Sequence, residues 1–293
     1  MELRLSEKVR ERDAAIARGD RESVEPRDAA SVILLDTSAS DSGRSSEPSA
    51  FLLVRQATLR FAPGMAVFPG GGVDPRDFDS AVVGPDVVTW ATRLGVDAAF
   101  ASALLCAAVR ETFEETGVLL ATTPDGQFVD PQDATWRETR RALEAHELAF
   151  SEVLATHRLV LRSDLLTPWA RWTTPRFERR RYRVWFFVAR LPAGQRAAAV
   201  STESVTASWR PLSDALADAD SGALAMLPPQ YYSLAELRAE GVPEAGPDGA
   251  RALPVVEPSV GIDAEGAYLR LPDEILRHGT VSGRGEGNAS DLR

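Results

Sequence analysis

The chain has 293 residues, 44% of them hydrophobic, which is enough for one large buried core or two small ones. Lys and Arg total 33 against 43 for Asp and Glu, and the formal charge of -10 argues against nonspecific attraction to nucleic acid or anionic lipid. Cys106 is the single cysteine, so no intramolecular disulfide can form; with a charged N-terminus lacking an apolar leader, a cytoplasmic setting is expected.

Residues 1–28 are polar and helix-prone and read as a helical or flexible arm. A single domain is expected over 29–275, followed by a Gly- and Ser-rich flexible tail over 276–293. Two strands at 31–36 and 51–55 flank a Ser-rich loop. A Gly-rich turn at Gly70 to Gly72 leads into an insertion over about 78–97, irregular except for a short helix around 87–94. Asp97 stands where a helix N-cap belongs, Ala98–Thr116 has helical composition without Gly or Pro, and Gly117 occupies the position that commonly ends a helix. The apolar run at 98–109 is about half of the roughly 20 residues needed to cross a bilayer. Helices are expected at 133–149, 152–161, 212–218 and 232–239, strands at 169–174, 181–191 and 205–209, and a hairpin around 263–266.

The chemistry concentrates in Arg110-Glu-Thr-Phe-Glu-Glu-Thr-Gly117. Glu111, Glu114 and Glu115 fall at i, i+3 and i+4, which share one face of a helix. They also crowd the negative end of the helix dipole, where each anion costs about 0.3–1 kcal/mol, so a positive counterpart is expected. A hard divalent cation such as Mg²⁺ binds through a few carboxylate oxygens and fills its remaining positions with water and substrate phosphates. Arg110 can pair with one carboxylate and fix its rotamer, while the backbone at Gly70 and Gly71 can approach a metal or phosphate unobstructed by a Cβ.

These residues resemble the Nudix box, G-x5-E-x7-R-E-U-x-E-E-x-G-U with U a bulky aliphatic residue. Gly71 matches its first glycine, Arg110, Glu111, Glu114, Glu115 and Gly117 match its second half, and Val118 matches the last U. Asp77 replaces the first Glu, Thr112 occupies a U position, and the seven-residue spacer has grown to 78–109. Loop insertions cost little closure entropy, about 0.6 kcal/mol per doubling, so the site can survive the longer spacer. Upstream, Arg55, Arg60, Gly64 and Phe68-Pro-Gly-Gly71 are similar to the segment that marks coenzyme A diphosphatases, although Leu53 and Gln56 depart from it. Trp172-Thr-Thr-Pro175 and Leu227-Pro-Pro-Gln-Tyr-Tyr232 resemble the acyl-coenzyme A diphosphatase branch with an enlarged box.

The resemblance implies an α/β/α sandwich with a mixed sheet and additional helices. It also implies Mg²⁺- or Mn²⁺-dependent hydrolysis of coenzyme A or acyl-coenzyme A to adenosine 3',5'-bisphosphate and an (acyl-)4'-phosphopantetheine. Expected metal ligands are Glu111, Glu114, Glu115 and the backbone of Gly70; Arg55, Arg60 and Gly71 are expected to contact substrate. Glu115 or Glu203 is expected to act as general base, with Arg110 supporting catalysis. The dense run Arg176, Arg179, Arg180, Arg181 and Arg183 reads chiefly as a solvated face, with some members able to meet a 3'-phosphate. Trp90 reads as a core residue rather than a ring stacked on adenine, and His146, His157 and His278 are too scattered for a zinc site. An ADP-ribose, dinucleotide or nucleotide-sugar pyrophosphatase remains open, as does a non-catalytic Nudix-like domain that senses a nucleotide. A homodimer is compatible with either.

Overall fold

The computed structural model describes residues 3–38, 47–58, 62–79, 82–198, 204–247 and 252–276. In chain order, a polar helix α1 (Glu7–Ala17) precedes strand β1 (Arg27–Asp36), β2 (Ser49–Arg55), and two short strands, β3 (Ala66–Val67) and β4 (Gly70–Gly72). The enlarged spacer then forms a 3-10 turn (Pro75–Asp79), β5 (Val82–Val83) and helix α2 (Val87–Leu94) before helix α3 (Ala98–Thr116). β6 (Ala121–Thr122), α4 (Ala134–Glu144), α5 (Phe150–His157), β7 (Val160–Arg162), β8 (Thr167–Thr173) and β9 (Tyr182–Arg190) follow. The chain continues through β10 (Ser204–Pro211), α6 (Leu212–Asp220), α7 (Pro228–Glu240), β11 (Val255–Val256), the hairpin β12 (Ser259–Asp263) and β13 (Gly266–Arg270), and α8 (Asp273–Leu276).

The central sheet runs β10-β2-β1-β9-β8-β11 and is mixed: β1 lies parallel to β9 and antiparallel to β2. Side chains alternate across a strand with period two, and β1, apolar at Ala29, Ala30 and from Val32 to Leu35, feeds two cores at once. Ala30, Val32 and Leu34 join Trp185 and Phe187 of β9 beneath α2 and α3. Ile33 and Leu35 join Phe186 and Val188 on the opposite face, under α6 and α7. The result is the expected α/β/α sandwich with helices on both faces of a mixed sheet.

Several elements depart from the sequence-based expectations. The helix expected over 152–161 ends at His157, because Arg158 turns left-handed (φ 54°) and Leu161 finds a strand partner in Ala121. Likewise the helix expected over 133–149 stops at Glu144, before His146 with φ 56°. The turn expected at Gly70 to Gly72 is a strand, in register with Ser31, Ala30 and Ala29 of β1. Residues 3–5 pair along β13, and Arg12 donates to the Phe177 carbonyl at 3.1 Å while Asp13 pairs with Arg176 at 2.7 Å, so α1 rests on the domain although it buries no residue.

The spacer is ordered because it contributes to the core. Trp90 is fully buried, meets the Phe187 ring edge-on at 6.3 Å and donates its indole N–H to Ser163 Oγ at 3.2 Å, which makes it a packing residue and removes it from any base-stacking role. Replacing Trp90 by Ala should cost about 3–5 kcal/mol, through lost burial and the remaining cavity, in a urea unfolding titration followed by circular dichroism.

Candidate functional site

Helix α3 carries the carboxylates, and both of its ends are capped as its sequence dictates. Asp97 accepts the Phe100 N–H at 2.8 Å, and Gly117 closes the helix in the left-handed region at φ 72°. The apolar first half lies in the core between α2 and the sheet, which fixes the rotation of the last two turns and turns Arg110 and the glutamates toward β4.

Arg110 is the hub of the site, with its side chain only 8% exposed. Its Nε and Nη2 donate to the two oxygens of Asp77 at 2.9 and 3.0 Å, a forked contact. Nη1 donates to Glu111 at 2.8 Å and to Glu114 at 3.2 Å, and Nη2 also reaches the Gly72 carbonyl at 2.9 Å. Cys106, one helical turn earlier, adds its thiol to Asp77 at 3.3 Å. Glu115 reaches the other end of β4, where Gly70 N–H donates to its Oε2 at 2.9 Å. A Cβ on Gly71 would lie 2.4 Å from Glu111 Oε1, so a side chain there would displace the Glu111 carboxylate.

Glu111, Glu114 and Asp77 thus gather around one guanidinium, while Glu115, the next residue on the helix, is held by Gly70 N–H. Burial and the neighbouring Glu111 charge push the Glu114 carboxyl up to about 7, even though Arg110 acts in the opposite direction. Burial disfavours the Arg110 cation, but the Asp77 hydrogen bonds and the charges of Glu111, Asp77 and Glu114 more than reverse this and raise it above the usual arginine value. A second positive charge is what this cluster lacks. The donor set, all carboxylate oxygen with a backbone flank free of side chains, fits a hard divalent cation in type and sign. With Glu111 and Glu114 turned onto Arg110, no trio of Asp, Glu, His or Cys among the described residues is drawn to ligand spacing. Cation binding at this site would therefore pull carboxylates away from the arginine.

The remaining expected residues are distributed as follows. Arg55 ends β2 beside the start of β10, paired in the ladder with Ser204, and its backbone closes a turn with Gly64 and Met65. Arg60 and Glu203 lie outside the described residues. Phe68 packs into the core on the α6 and α7 side, edge-on to Phe186. In the arginine run, Arg176 is paired to Asp13, Arg181 is buried against Ser23, Val24 and Glu257, and Arg183 is paired to Asp28 at 2.6 Å. The two motif segments at 172–175 and 227–232 meet: the Trp172 and Tyr232 rings stack at 6.5 Å. His146 lies beside Asp74 and Arg76, next to the cleft that Arg110 and Glu114 also line.

Asp77 is the residue whose part sequence reasoning understated. Its position in the box marked it, yet nothing local showed that it is the forked partner of an arginine 33 positions later. Replacing Asp77 by Ala should cost about 3 kcal/mol or more in chemical denaturation, because a buried guanidinium loses its best-oriented anion, whereas Asp77→Asn should cost less.

Comparisons with known proteins agree with this geometry. Residues 91–237 match the sequence family described as the NUDT19 Nudix domain. The chain is similar to the acyl-coenzyme A diphosphatase NUDT19 of Xenopus laevis, 26% identical over 231 residues, which is 66% of this chain and 60% of that protein. This chain therefore spans only about 60% of that relative's length. It is also similar to the crystal structure of a NUDIX hydrolase from Alicyclobacillus acidocaldarius, with a TM-score of 0.60 and 27% identity over 74% of this chain and 92% of the other. With half of its length matched to the family and the box residues assembled around Arg110, the chain belongs to the NUDT19 Nudix domain family.

Proposed function

We propose that this chain is a divalent-metal-dependent hydrolase that cleaves the diphosphate linkage of coenzyme A or an acyl-coenzyme A, yielding adenosine 3',5'-bisphosphate and an (acyl-)4'-phosphopantetheine. The observation that carries the reading is the convergence of Glu111, Glu114 and Asp77 on the buried Arg110 against a glycine strand whose Gly70 N–H also holds Glu115. The coenzyme A assignment draws on the Arg55 to Gly71 segment and on the likeness to the Xenopus laevis protein.

Each residue has a part that follows from its contacts. Glu111, Glu114 and Glu115, with the Gly70 backbone, would hold the cation, which when bound neutralises the diphosphate and lowers the pKa of water. Arg110 holds Glu111 and Glu114 on one side of the helix and keeps their oxygens oriented before any ligand arrives. Gly70 N–H fixes Glu115 Oε2, leaving this carboxylate oriented to accept a proton from an attacking water. Glu203, the alternative base, is the residue before Ser204 in the sequence. Arg55 and Arg60 supply guanidinium forks suited to phosphate oxygens.

Purified protein with Mg²⁺ or Mn²⁺ should be offered coenzyme A, acyl-coenzyme A, ADP-ribose, NADH and nucleoside triphosphates, with products identified by mass. Release of adenosine 3',5'-bisphosphate as the dominant reaction supports the assignment; faster cleavage of ADP-ribose or NADH shifts it to those substrates, and no cleavage of any favours a nucleotide-sensing domain. Glu114→Gln and Glu115→Gln should each lower metal-dependent turnover by about 100-fold or more, as loss of a preorganised electrostatic group does, with the melting temperature little changed. Wild-type rates in both would remove the metal role from this helix face.

A further inference from the structure

One row of residues runs straight across the sheet from the carboxylate site. Gly71 of β4 pairs with Ala30 of β1, Ala30 with Trp185 of β9, and Trp185 with Arg171 of β8. Three strand spacings separate Gly71 from Arg171, about 14 Å of backbone. The next row places Asp28 beside Arg183. Since side chains two residues apart on a strand share a face, Arg183 stands on the same side as Trp185.

Both guanidiniums converge on one indole, with Cζ of Arg171 at 5.7 Å and Cζ of Arg183 at 5.4 Å from the Trp185 ring. Asp28 pairs with Arg183 at 2.6 Å, and Glu25 acts on it more distantly. Arg171 makes no ion pair among the described residues and feels Asp28 only from a distance, and its Nε is buried with no hydrogen-bond partner among them. Burial and the neighbouring Arg183 both work against its charge, and hold it below the usual arginine value. Two cations sharing one carboxylate, one of them carrying an orphaned buried donor, make a place where an anion is missing.

A chain of ring contacts links this place to the carboxylate site. Asp77, clamped to Arg110, is followed by Phe78, an exposed ring stacked on Phe100, and Phe100 meets Trp185 edge-on at 5.5 Å. The Asp28 carbonyl accepts the Val73 N–H, directly after the Gly72 carbonyl that Arg110 holds. A ligand whose diphosphate lies over the glycine strand can therefore extend along the rim past Phe78 to the arginine pair.

We propose that Arg171 and Arg183, stacked on Trp185, form a second anion subsite that receives the phosphate monoester on the nucleotide half of the substrate. The substrate class rests on the hydrolase reading above; the subsite itself rests on the geometry of β8 and β9.

Binding to the full chain, measured by titration calorimetry without added metal, tests this with adenosine 3',5'-bisphosphate, adenosine 5'-monophosphate and inorganic phosphate. The bisphosphate should bind about ten-fold or more tightly than the monophosphate, as an added charge-assisted contact gives, and inorganic phosphate more weakly than either. Arg171→Gln should bring the two nucleotides to within about two-fold, Arg171→Lys should keep part of the difference, and Arg176→Gln, on the separate Asp13 pair, should leave it intact. A wild type without the preference, an undiminished preference in Arg171→Gln, or free phosphate binding as tightly as the bisphosphate would overturn the subsite. If Arg171→Gln fails to fold by circular dichroism, Arg171→Lys decides, a full preference there counting against the proposal. Coenzyme A turnover measured in parallel separates the two readings: turnover without the preference sinks the subsite alone, and the preference without turnover sinks the hydrolase alone.

Discussion

A guanidinium taken out of water must be surrounded by anions or it would unfold its surroundings, and Arg110 meets that demand from three directions. The 3-10 turn supplies Asp77, helix α3 supplies Glu111 and Glu114, and β4 supplies the Gly72 carbonyl. Each of these elements is consequently fixed relative to the others by one charge. The same arrangement leaves the carboxylates in excess, and the raised Glu114 is the local sign of that imbalance. Stability and chemistry are thus set by one electrostatic deficit: the arginine keeps the acids close, and the surplus acids define what the site can still accept.

The sheet determines where that cluster sits. β2 pairs with β1 only at Leu35 and Asp36, then diverges, and the glycine strand takes its place along Ala29 to Ser31. Three successive glycines can lie there because nothing needs to pack above Gly71 except the Glu111 carboxylate itself. The enlarged spacer leaves this arrangement undisturbed: it departs after Asp77, forms a short strand and a helix that bury Trp90, Ala91 and Leu94, and re-enters α3 through a bend of 88°. An insertion that brings its own apolar residues adds core instead of strain.

What could be read from the sequence was what short-range chemistry encodes. The bounds of α3 followed from Asp97 and Gly117, the shared face of the three glutamates from helical spacing, and the strands near 169–174, 181–191 and 205–209 from their aromatic and β-branched content. The features that escaped depend on partners far away in sequence. Glycines carry no strand signal, so β4 read as a turn, although its pairing with β1 is what places Gly71. Val82, Ala121 and Val160 begin two- or three-residue strands whose only warrant is one another. Arg171 and Arg183 meet over Trp185 through cross-strand register, and no local pattern in either strand predicts it. The basic run that reads chiefly as a solvated face is divided by the fold, with Arg181 buried, Arg176 holding α1 and Arg183 facing Asp28.

Helix α1 buries no side chain, yet it is tied to the domain by Arg176–Asp13, by Arg12 on the Phe177 carbonyl, and by Arg4 on Asp263 and Glu265 just before it. Contacts of this kind have little apolar area behind them and lie within reach of dissolved ions. The Debye length falls from about 8 Å at physiological ionic strength to about 3 Å in molar salt. The grip on this leading segment is accordingly a property of the medium as much as of the protein, loosening in brine while the sandwich beneath, held by dry packing, is left as it was.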